Sequence, residues 1–469
     1  MDLSISLRNA LSGLQAAQAS LSVVASNISN AQTPGYSQET VPLSTKVVGG
    51  QSAGVQDGVT QRELNATLNA AAREQDTTAS AATTTNDYYQ QIQNLFGQIN
   101  GTGTLTSVFN SFSSALQTLS TTPQDPVAQQ AAVAAGQTLA QTLNNLSSGI
   151  QQIRASADSD IAGNVATVNQ ALQTIAADNI QIEHLQADGQ STAALEDQRD
   201  QALDQVSKAI GVQSFVRTNG AMVVLTSNGQ VLVDSNAAQL GYTQSGTVNA
   251  GSPLSALTLN GTDITSGVTT GSIGALLAMR DQTLPNLTTQ LNQFTNNLFN
   301  ATQSPALATT NSGLGVTNDA NHFFANLNTA AGVDNASTIE VNPSLVASPG
   351  LLDGPAANPN PAITQTLVQN LNNPQAFAAG GGLPATTATL SGYASQAISQ
   401  LATAAATASS NSTFQTNLQT QFAAQASTVN GVNLDQQLEK LTEFQNMYAA
   451  SAHVLSTVNA MFQTLFQIQ

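Results

Sequence analysis

The sequence predicts a mainly α protein: N- and C-terminal helices paired as a coiled-coil core, a long antiparallel helical bundle domain, and an inserted small β-rich outer domain. Three patterns predict it. Leu7, Leu11, Leu14, Leu21 and Ile28 share one 3.5-residue repeat, with Gln18 and Ala25 in the two remaining positions, and such a repeat belongs to a helix that packs on another helix. A second stripe, Leu434, Leu438, Leu441, Tyr448, Ala452, Leu455, Phe462 and Leu465, lies near the other end. Between them, Leu139, Leu143, Leu146, Ile150, Ile153 and Ala157 hold a heptad register. Ile161, Val165, Val168, Leu172, Ile175 and Ile182 continue it one residue out of step, which reads as a change of superhelix twist or a bend in one long helix.

An amphipathic helix of roughly 40 Å, at about 1.5 Å per residue, leaves its apolar stripe wet unless a partner covers it. Chain ends are commonly frayed and polar, so strong periodicity at both ends implies that they zip together or join neighbouring copies. The 469 residues suffice for several domains. Lys and Arg number 10 against 27 Asp and Glu, and the formal charge of -17 disfavours nucleic acid and anionic lipid as partners. Charged residues are only 8%, so solubility rests largely on Ser, Thr, Asn and Gln, which build no long-range repulsion between copies. With no Cys, disulfides, thiolate metal sites and Cys nucleophiles are excluded. Polar residues interrupt every apolar run, so neither a cleaved secretory signal nor a membrane span is expected.

In chain order, the first helix ends near Asn30, and Thr33-Pro34-Gly35-Tyr36 turns the chain. Pro34 disfavours helix at Thr33, and Gly35 tolerates left-handed backbone. Asn27 and Asn30 share one face, able to bond backbone or a partner's polar groups. The run Ser26-Asn27-Ile28-Ser29-Asn30-Ala31-Gln32-Thr33-Pro34-Gly35-Tyr36 resembles the N-terminal signature of flagellar rod, hook and hook-associated axial proteins. Gly431-Val432-Asn433-Leu434-Asp435, Glu443-Phe444-Gln445 and Tyr448-Ala449-Ala450-Ser451-Ala452 resemble the matching tail of that group.

Val41 to Gly58, rich in Val, Thr and Gly, reads as an extended or looped connector. Helical patterning resumes between Gln61 and Gln98 and from Leu105 to Leu119. Asp125-Pro126 then starts the long helix, with Asp as N-cap and Pro in the first turn. Asn179 lies on its seam, where Asn more often fixes register than binds a ligand. Asp188-Gly189 turns the chain into a returning helix over about Ala193 to Ile210. Its Leu195-Glu196-Asp197-Gln198-Arg199-Asp200 run reads as a solvated charged face with Arg199 as local ion partner, rather than as a metal or acid–base site. That run leads to Ile210-Gly211-Val212 and resembles a segment of the hook-associated protein 1 family, as does Gly271-Ser272-Ile273-Gly274.

Asn219-Gly220 and Asn228-Gly229 divide alternating apolar runs into a β-meander, and Asn260-Gly261 marks another hairpin. Leu277, Leu284, Leu287, Leu291, Phe294 and Leu298 form a further helical seam, with Pro285 as a kink or restart. Residues 301–385, rich in Pro, Gly, Asn and Ala, read as a loop-rich, surface-exposed module with short β pieces such as Thr338 to Val341. Gly380-Gly381-Gly382 lacks the Lys of a phosphate loop. A last helical tract, Ser391 to Ala426, carries Ile398, Leu401, Phe414, Leu418 and Phe422.

No constellation for chemistry emerges. His184, His322 and His453 lie more than a hundred residues apart and lack metal-ligand spacing, so each is read as packed or interfacial. Nucleophile elbow, phosphate loop and HExxH are missing, and neither an enzyme nor a cofactor or metal site is expected. The chain divides into 1–50 and 428–469 as the axial coiled-coil core, 51–210 as the helical bundle, 211–272 as a β-hairpin module, 273–300 as a helix returning to the bundle, 301–385 as an outer loop and β module, and 386–427 as the last part of the helical domain. The assembly interface is assigned to Leu7, Leu11, Leu14, Leu21, Asn27, Ile28, Asn30, Pro34, Gly35, Tyr36, Leu434, Leu438, Leu441, Tyr448, Leu455, Phe462 and Leu465.

The resemblance implies a structural hook-associated junction protein that joins hook to filament and is required for filament assembly. It implies self-assembly into a ring, with hook protein below and a second junction protein above. It also implies export, without a cleaved signal, through the flagellar type III apparatus with an export chaperone, to an extracellular place in the flagellum. A reduced outer domain within 211–385 is a further implication. The alternatives are another axial protein, either the second junction protein or a hook protein, and more distantly a secreted adhesin or a peptidoglycan hydrolase. Helical content between residues 126 and 210 argues against a hook protein.

Overall fold

Helices account for most of the chain, and several start where the sequence supplies a cap. The computed structural model describes residues 3–48, 51–97, 101, 103–252, 254–310, 319–328, 333–354 and 360–467. α1 (Leu3–Asn30) leads into β1 (Glu39–Thr40), β2 (Leu43–Val48), β3 (Gln51–Asp57) and β4 (Gln61–Arg62), with β1 antiparallel to β4 and β2 to β3. The connector expected over Val41 to Gly58 is thus a strand hairpin, bulged between Thr45 and Val47. α2 (Ala66–Phe96) begins at Asn65, whose side chain accepts from the Leu68 amide, and α3 (Leu105–Thr121) at Thr104, which accepts from Ser107. α4 (Pro126–Ala187) begins at Asp125, which accepts from Val127, with Pro126 in the first turn. α4 is 62 residues long. Every residue of its two heptad registers is buried, and Ala157 and Ile161, on either side of the register step, are fully so. The step therefore re-aims the stripe without opening the core.

After Asp188-Gly189, α5 (Ala193–Ala209) returns along α4. β5 (Val212–Val216), β6 (Met222–Thr226) and β7 (Val231–Val233) form an antiparallel meander, with Gly220 and Gly229 of its two turns at φ 83° and 81°. Asn179 docks this meander on α4: its amide donates to Met222 O at 2.8 Å, and its carbonyl accepts from Met222 N at 2.9 Å and from Arg199 at 3.1 Å. β8 (Leu240–Gly241), β9 (Thr258–Leu259) and β10 (Thr262–Asp263) make a second three-stranded sheet, with Asn260-Gly261 at its hairpin turn.

α6 (Gly271–Ala278) passes through a π-turn over Met279–Thr283 into α7 (Leu284–Ala301). Pro285 accounts for the turn, having no N–H for the Asp281 carbonyl and a ring that crowds it. The Arg280 carbonyl in the turn accepts from Arg154 Nε at 2.9 Å. The Arg280 guanidinium is buried against Asp281 at 2.8 Å and Asp158 at 3.3 Å.

Residues 301–385 depart from the surface-exposed reading. They contain β11 (Phe324–Ala325) paired with β12 (Glu340–Val341), the short helices α8 (Asn335–Thr338) and α9 (Pro343–Ala347), α10 (Ala362–Asn372), and β13 (Gln375–Phe377) paired with β14 (Thr386–Ala388). Their apolar side chains complete the helical core. Phe323 and Phe324 are fully buried, with ring centroids 5.1 and 5.5 Å from Phe112 of α3. Gly136 leaves the space on α4 that Phe323 fills. Gly380–Gly382 is a tight turn gripped by Gln290, which donates to Gly381 O, and by Gln400 of α11 (Leu390–Asn430), which donates to Gly382 O.

His322 is the one buried histidine of the three; His184 and His453 are exposed. Its ring stacks on Phe299 at 4.0 Å, and Nδ1 donates to Ala320 O at 3.0 Å. Burial lowers its pKa from the ordinary value. The neutral ring is thus favoured by folding, and its contribution is complete above the unfolded pKa of about 6.5 and is lost as pH falls through the lower folded value. We expect His322→Phe, which keeps the stack and removes the titration, to flatten the fall in urea midpoint between about pH 7.5 and about pH 5. An unchanged slope would assign that fall to other groups.

α11 packs along α2, and α12 (Leu434–Gln467) packs along α1. The main cluster of buried apolar side chains runs from Tyr88 to Leu401 and includes none from α1 or α12. Among the described residues no helix is long and apolar enough to cross a membrane.

Candidate functional site

The terminal helices form an antiparallel hairpin, since Asn27 meets Gln437 whereas Gly13 lies against Ser451. The face of α1 that is buried is offset from the leucine stripe. Ala10, Ala17, Ser20, Val24 and Asn27 are buried at heptad spacing, with Gly13 completing the row, and on α12 Gln437 and Val458 are buried. Small side chains let two helix backbones approach closely. The large ones turn away: Leu11, Leu434, Leu438 and Tyr448 are 41–53% exposed. Leu7, Leu14, Leu21, Ile28, Leu441, Leu455 and Phe462 are half-buried. The side chain of Leu465 lies outside the described residues. The β2–β3 hairpin crosses α1, where Val55 N donates to Ser12 Oγ at 3.1 Å, and Gly54, at φ 111°, passes so close that a Cβ would collide with that hydroxyl.

Where the hairpin meets the body, the contacts are polar. Asn27 Oδ1 accepts from Tyr36 Oη at 2.8 Å and from the Glu39 amide at 2.9 Å, while its Nδ2 donates to Glu39 O at 2.9 Å and Gln437 Oε1 at 3.2 Å. Gln437 in turn donates to Gln38 Oε1 at 3.1 Å, and Gln38 Nε2 donates to Glu63 at 2.7 Å. Asn430, the last residue of α11, accepts from the Asn65 amide at 2.8 Å through its side chain and from the Gln38 amide at 3.0 Å through its carbonyl. Asn30 caps the end of α1, donating to Ser26 O and accepting from Thr33 Oγ1. Burial, together with Glu39 and Asp197 nearby, raises the Tyr36 pKa against the opposing bond to Ser26. Pro34 and Gly35 are exposed on a cleft of about 690 Å³ between the turn and the body, across which Gln201 donates to Pro34 O at 3.4 Å.

Beneath this amide network sits an ion cluster that corrects the reading of Leu195–Asp200 as a solvated face. Arg62, whose side chain is 8% exposed, reaches Glu196, Asp197 and Asp200, each at 2.8 Å. Burial works to lower its pKa, but Asp200, Asp197 and Glu196 outweigh it and hold the guanidinium above its ordinary value. Arg73 adds Asp200 at 3.2 Å and Asp204 at 2.6 Å, and Asp197 also accepts from the Ser37 amide at 3.0 Å. Arg199 feels the charges of Asp200 and Glu196, but its hydrogen bonds go elsewhere. It is buried and turned the other way, onto Asn179 and Gly220 O. Sequence reasoning missed Gln38, Arg62, Arg73, Asn430 and Gln437. The available signal was scarcity, since Arg62 and Arg73 are two of only ten cations in an acidic chain.

We expect Asn27→Ala to strip partners from Tyr36 Oη, the Glu39 amide and Gln437 at once. At the cost of buried groups left unsatisfied, the hairpin should lose about 2–4 kcal/mol. Urea unfolding followed by hydrogen exchange on peptides of α1 and α12 should show them opening earlier, with α4 unmoved. Simultaneous loss of α4 protection would mean that the joint is part of the body's own cooperative unit.

Among the described residues no group of three or more His, Cys, Asp or Glu could hold a metal ion. The site is an arrangement for contact between helices. Residues 7–36 match the family described as "Flagella basal body rod protein", and residues 89–324 match the family described as "Flagellar hook-associated protein FlgK helical domain". The chain belongs to the FlgK helical-domain family. The FlgK match covers α3 to α7 and extends from within α2 to Phe324. "Flagellar hook-associated protein 1" of Escherichia coli (strain K12) is 28% identical over 302 residues, covering 61% of this chain and 54% of the relative. The protein of the same name in Bacillus subtilis (strain 168) is 27% identical over 280 residues, covering 56% and 55%. The chain spans about half the length of the curated relatives it matches. A solved structure, "The structure of the flagellar hook junction protein FlgK from Burkholderia pseudomallei", aligns at 28% identity with a TM-score of 0.46 over 55% of this chain and 46% of that one.

Proposed function

We propose that this chain is a structural junction component of the bacterial flagellum, joining the hook to the filament and needed for filament assembly. The observation that carries the reading is the terminal hairpin, which closes on alanine, serine and glycine and turns Leu11, Leu434, Leu438 and Tyr448 outward. Such a face is finished by neighbours. In this reading copies self-assemble into a ring through Leu7, Leu11, Leu14, Leu21, Ile28, Leu434, Leu438, Leu441, Tyr448, Leu455, Phe462 and Leu465, with head-to-tail contacts suited to a helical lattice. The turn of Asn27, Asn30, Pro34, Gly35 and Tyr36 sets the angle between hairpin and body. Hook protein lies below, a second junction protein above, and the chain reaches the extracellular flagellum through the flagellar type III apparatus with an export chaperone. Its role is mechanical and not enzymatic. Family membership and the polar, Ser/Thr/Asn/Gln-based solubility support this reading.

Electron microscopy of cells lacking the gene, with flagellin assayed in the medium, tests it. Bare hooks with shed flagellin are the expected result. Missing hooks would place the protein lower on the axis, and normal filaments would overturn the assignment.

A further inference from the structure

Asparagine followed by glycine can close on itself, because the glycine amide nitrogen lies within reach of the asparagine side-chain carbonyl and glycine has no side chain to hinder the approach. Four such pairs fall among the described residues, at Asn219, Asn228, Asn260 and Asn430; Asn100 lies outside them. In three of the four, both nitrogens that would have to move are held. Asn219 donates its Nδ2 to Glu183, and Gly220 N donates to Arg217 O at 3.0 Å. Asn228 donates to Gly267 O at 3.1 Å, and Gly229 N to Thr226 O at 2.8 Å. At the joint, Asn430 donates to Asn69 Oδ1 at 2.6 Å, and Gly431 N to Ser427 O at 2.9 Å. Asn260 is the exception. It forms the two-residue turn between β9 and β10 with Gly261, at φ 49° and 85°. Among the described residues neither its Nδ2 nor the Gly261 amide has a hydrogen-bond partner. Both residues are exposed, and no atom lies within 4 Å of where a Cβ on Gly261 would stand. The one bond of the Asn260 side chain is on its oxygen, which accepts from Gln239 N at 3.0 Å.

We propose that Asn260-Gly261 is a self-modification site, at which the folded chain deamidates in preference to its other described Asn-Gly pairs. The Gly261 nitrogen gives its proton to hydroxide and attacks Cγ of Asn260, forming a new C–N bond. The bond from Cγ to Nδ2 then breaks, and the nitrogen leaves as ammonia, taking a proton from water and returning the hydroxide. Water opens the cyclic imide at either carbonyl. Aspartate results if the new bond breaks, isoaspartate if the original peptide bond does. The Gln239 N–H is bonded to the oxygen on which negative charge develops during the attack, so the one contact that Asn260 keeps assists the step. The two products differ in consequence. Aspartate still accepts from Gln239, now through a charge-assisted bond. Isoaspartate carries the chain through Cγ and adds a backbone atom to a turn whose length sets the pairing of Leu259 with Thr262, so it unseats β10. The inference concerns a covalent change within one chain and does not depend on the assembly reading.

The test is peptide mapping by mass spectrometry on the full, unsubstituted chain, sampled over time in mildly alkaline buffer. Water enriched in heavy oxygen labels the residues converted during the incubation and sets them apart from any converted beforehand. In the folded chain Asn260 should convert several-fold faster than Asn219, Asn228 or Asn430, by roughly fivefold for each hydrogen bond that those pairs must first break. In urea the four rates should converge, because the same dipeptide is then free at every site. Comparable rates at the four sites of the folded chain would overturn the proposal, and so would faster conversion at any of the other three. A lead for Asn260 that persists undiminished in urea would overturn it as well, since neighbouring sequence and not the fold would then set the order.

Discussion

Arg62→Met should destabilise the protein by about 3–5 kcal/mol, the cost typical of removing one partner from a buried ion group. The methionine keeps most of the apolar stem but takes from Glu196, Asp197 and Asp200 the guanidinium they share, while Arg73 still reaches Asp200 at 3.2 Å. Like charges gathered on one turn of α5 then repel in a half-desolvated setting. Arg62→Lys should recover only part of the loss, because a point charge cannot fork to three carboxylates as a guanidinium does. Urea titrations of the three proteins at neutral pH decide the matter. A loss below about 1 kcal/mol at neutral pH would class the cluster with exposed ion pairs of little worth.

Leu438→Asp should abolish incorporation into filament-bearing flagella while leaving the free chain as stable as before, within about 0.5 kcal/mol. The side chain is 53% exposed in the single chain, so the charge meets water there. In a packed lattice it would be buried without a partner, which a charge tolerates poorly. Leu14→Asp and Leu441→Asp should also block assembly, but both side chains are half-buried in the hairpin itself, so they would loosen it as well. Leu438 therefore separates lattice contact from hairpin folding. Normal filaments on cells carrying only Leu438→Asp, seen by electron microscopy, would remove that face of α12 from the interface.

How much could be read in advance depended on how far apart the interacting residues lie. The buried stripe of α4 was legible down to the register step, because one helix against one core imposes its period on a continuous run. The meander was legible because Asn219-Gly220 and Asn228-Gly229 fix a turn within four residues. The terminal helices were legible as helices but not in their facing. Leucines drew the eye, while the contact row of Ala10, Gly13, Ala17, Ser20 and Val24 has little hydropathy contrast with its surroundings. Phe323 and Phe324 were lost in a segment with no period, although they fill the space beside Gly136. The joint was hidden for a different reason. Asn27 finds Gln437 across 410 residues and Arg62 finds Asp197 across 135, and no local pattern announces a pairing of that range.

The alanine and serine row between α1 and α12 has a consequence for how stability is measured. Burying a methyl or methylene group is worth about 0.8 kcal/mol, so a seam built of such small groups releases little free energy when one chain closes on itself. In the proposed assembly the apolar groups that the hairpin leaves exposed, Leu11, Leu434, Leu438 and Tyr448, would be removed from water by another molecule. By mass action, the apparent melting point of the two ends should then climb with protein concentration, whereas that of the helical body, with its own core, stays fixed. A single chain would thus report two thermometers, one reading its sequence and the other its company.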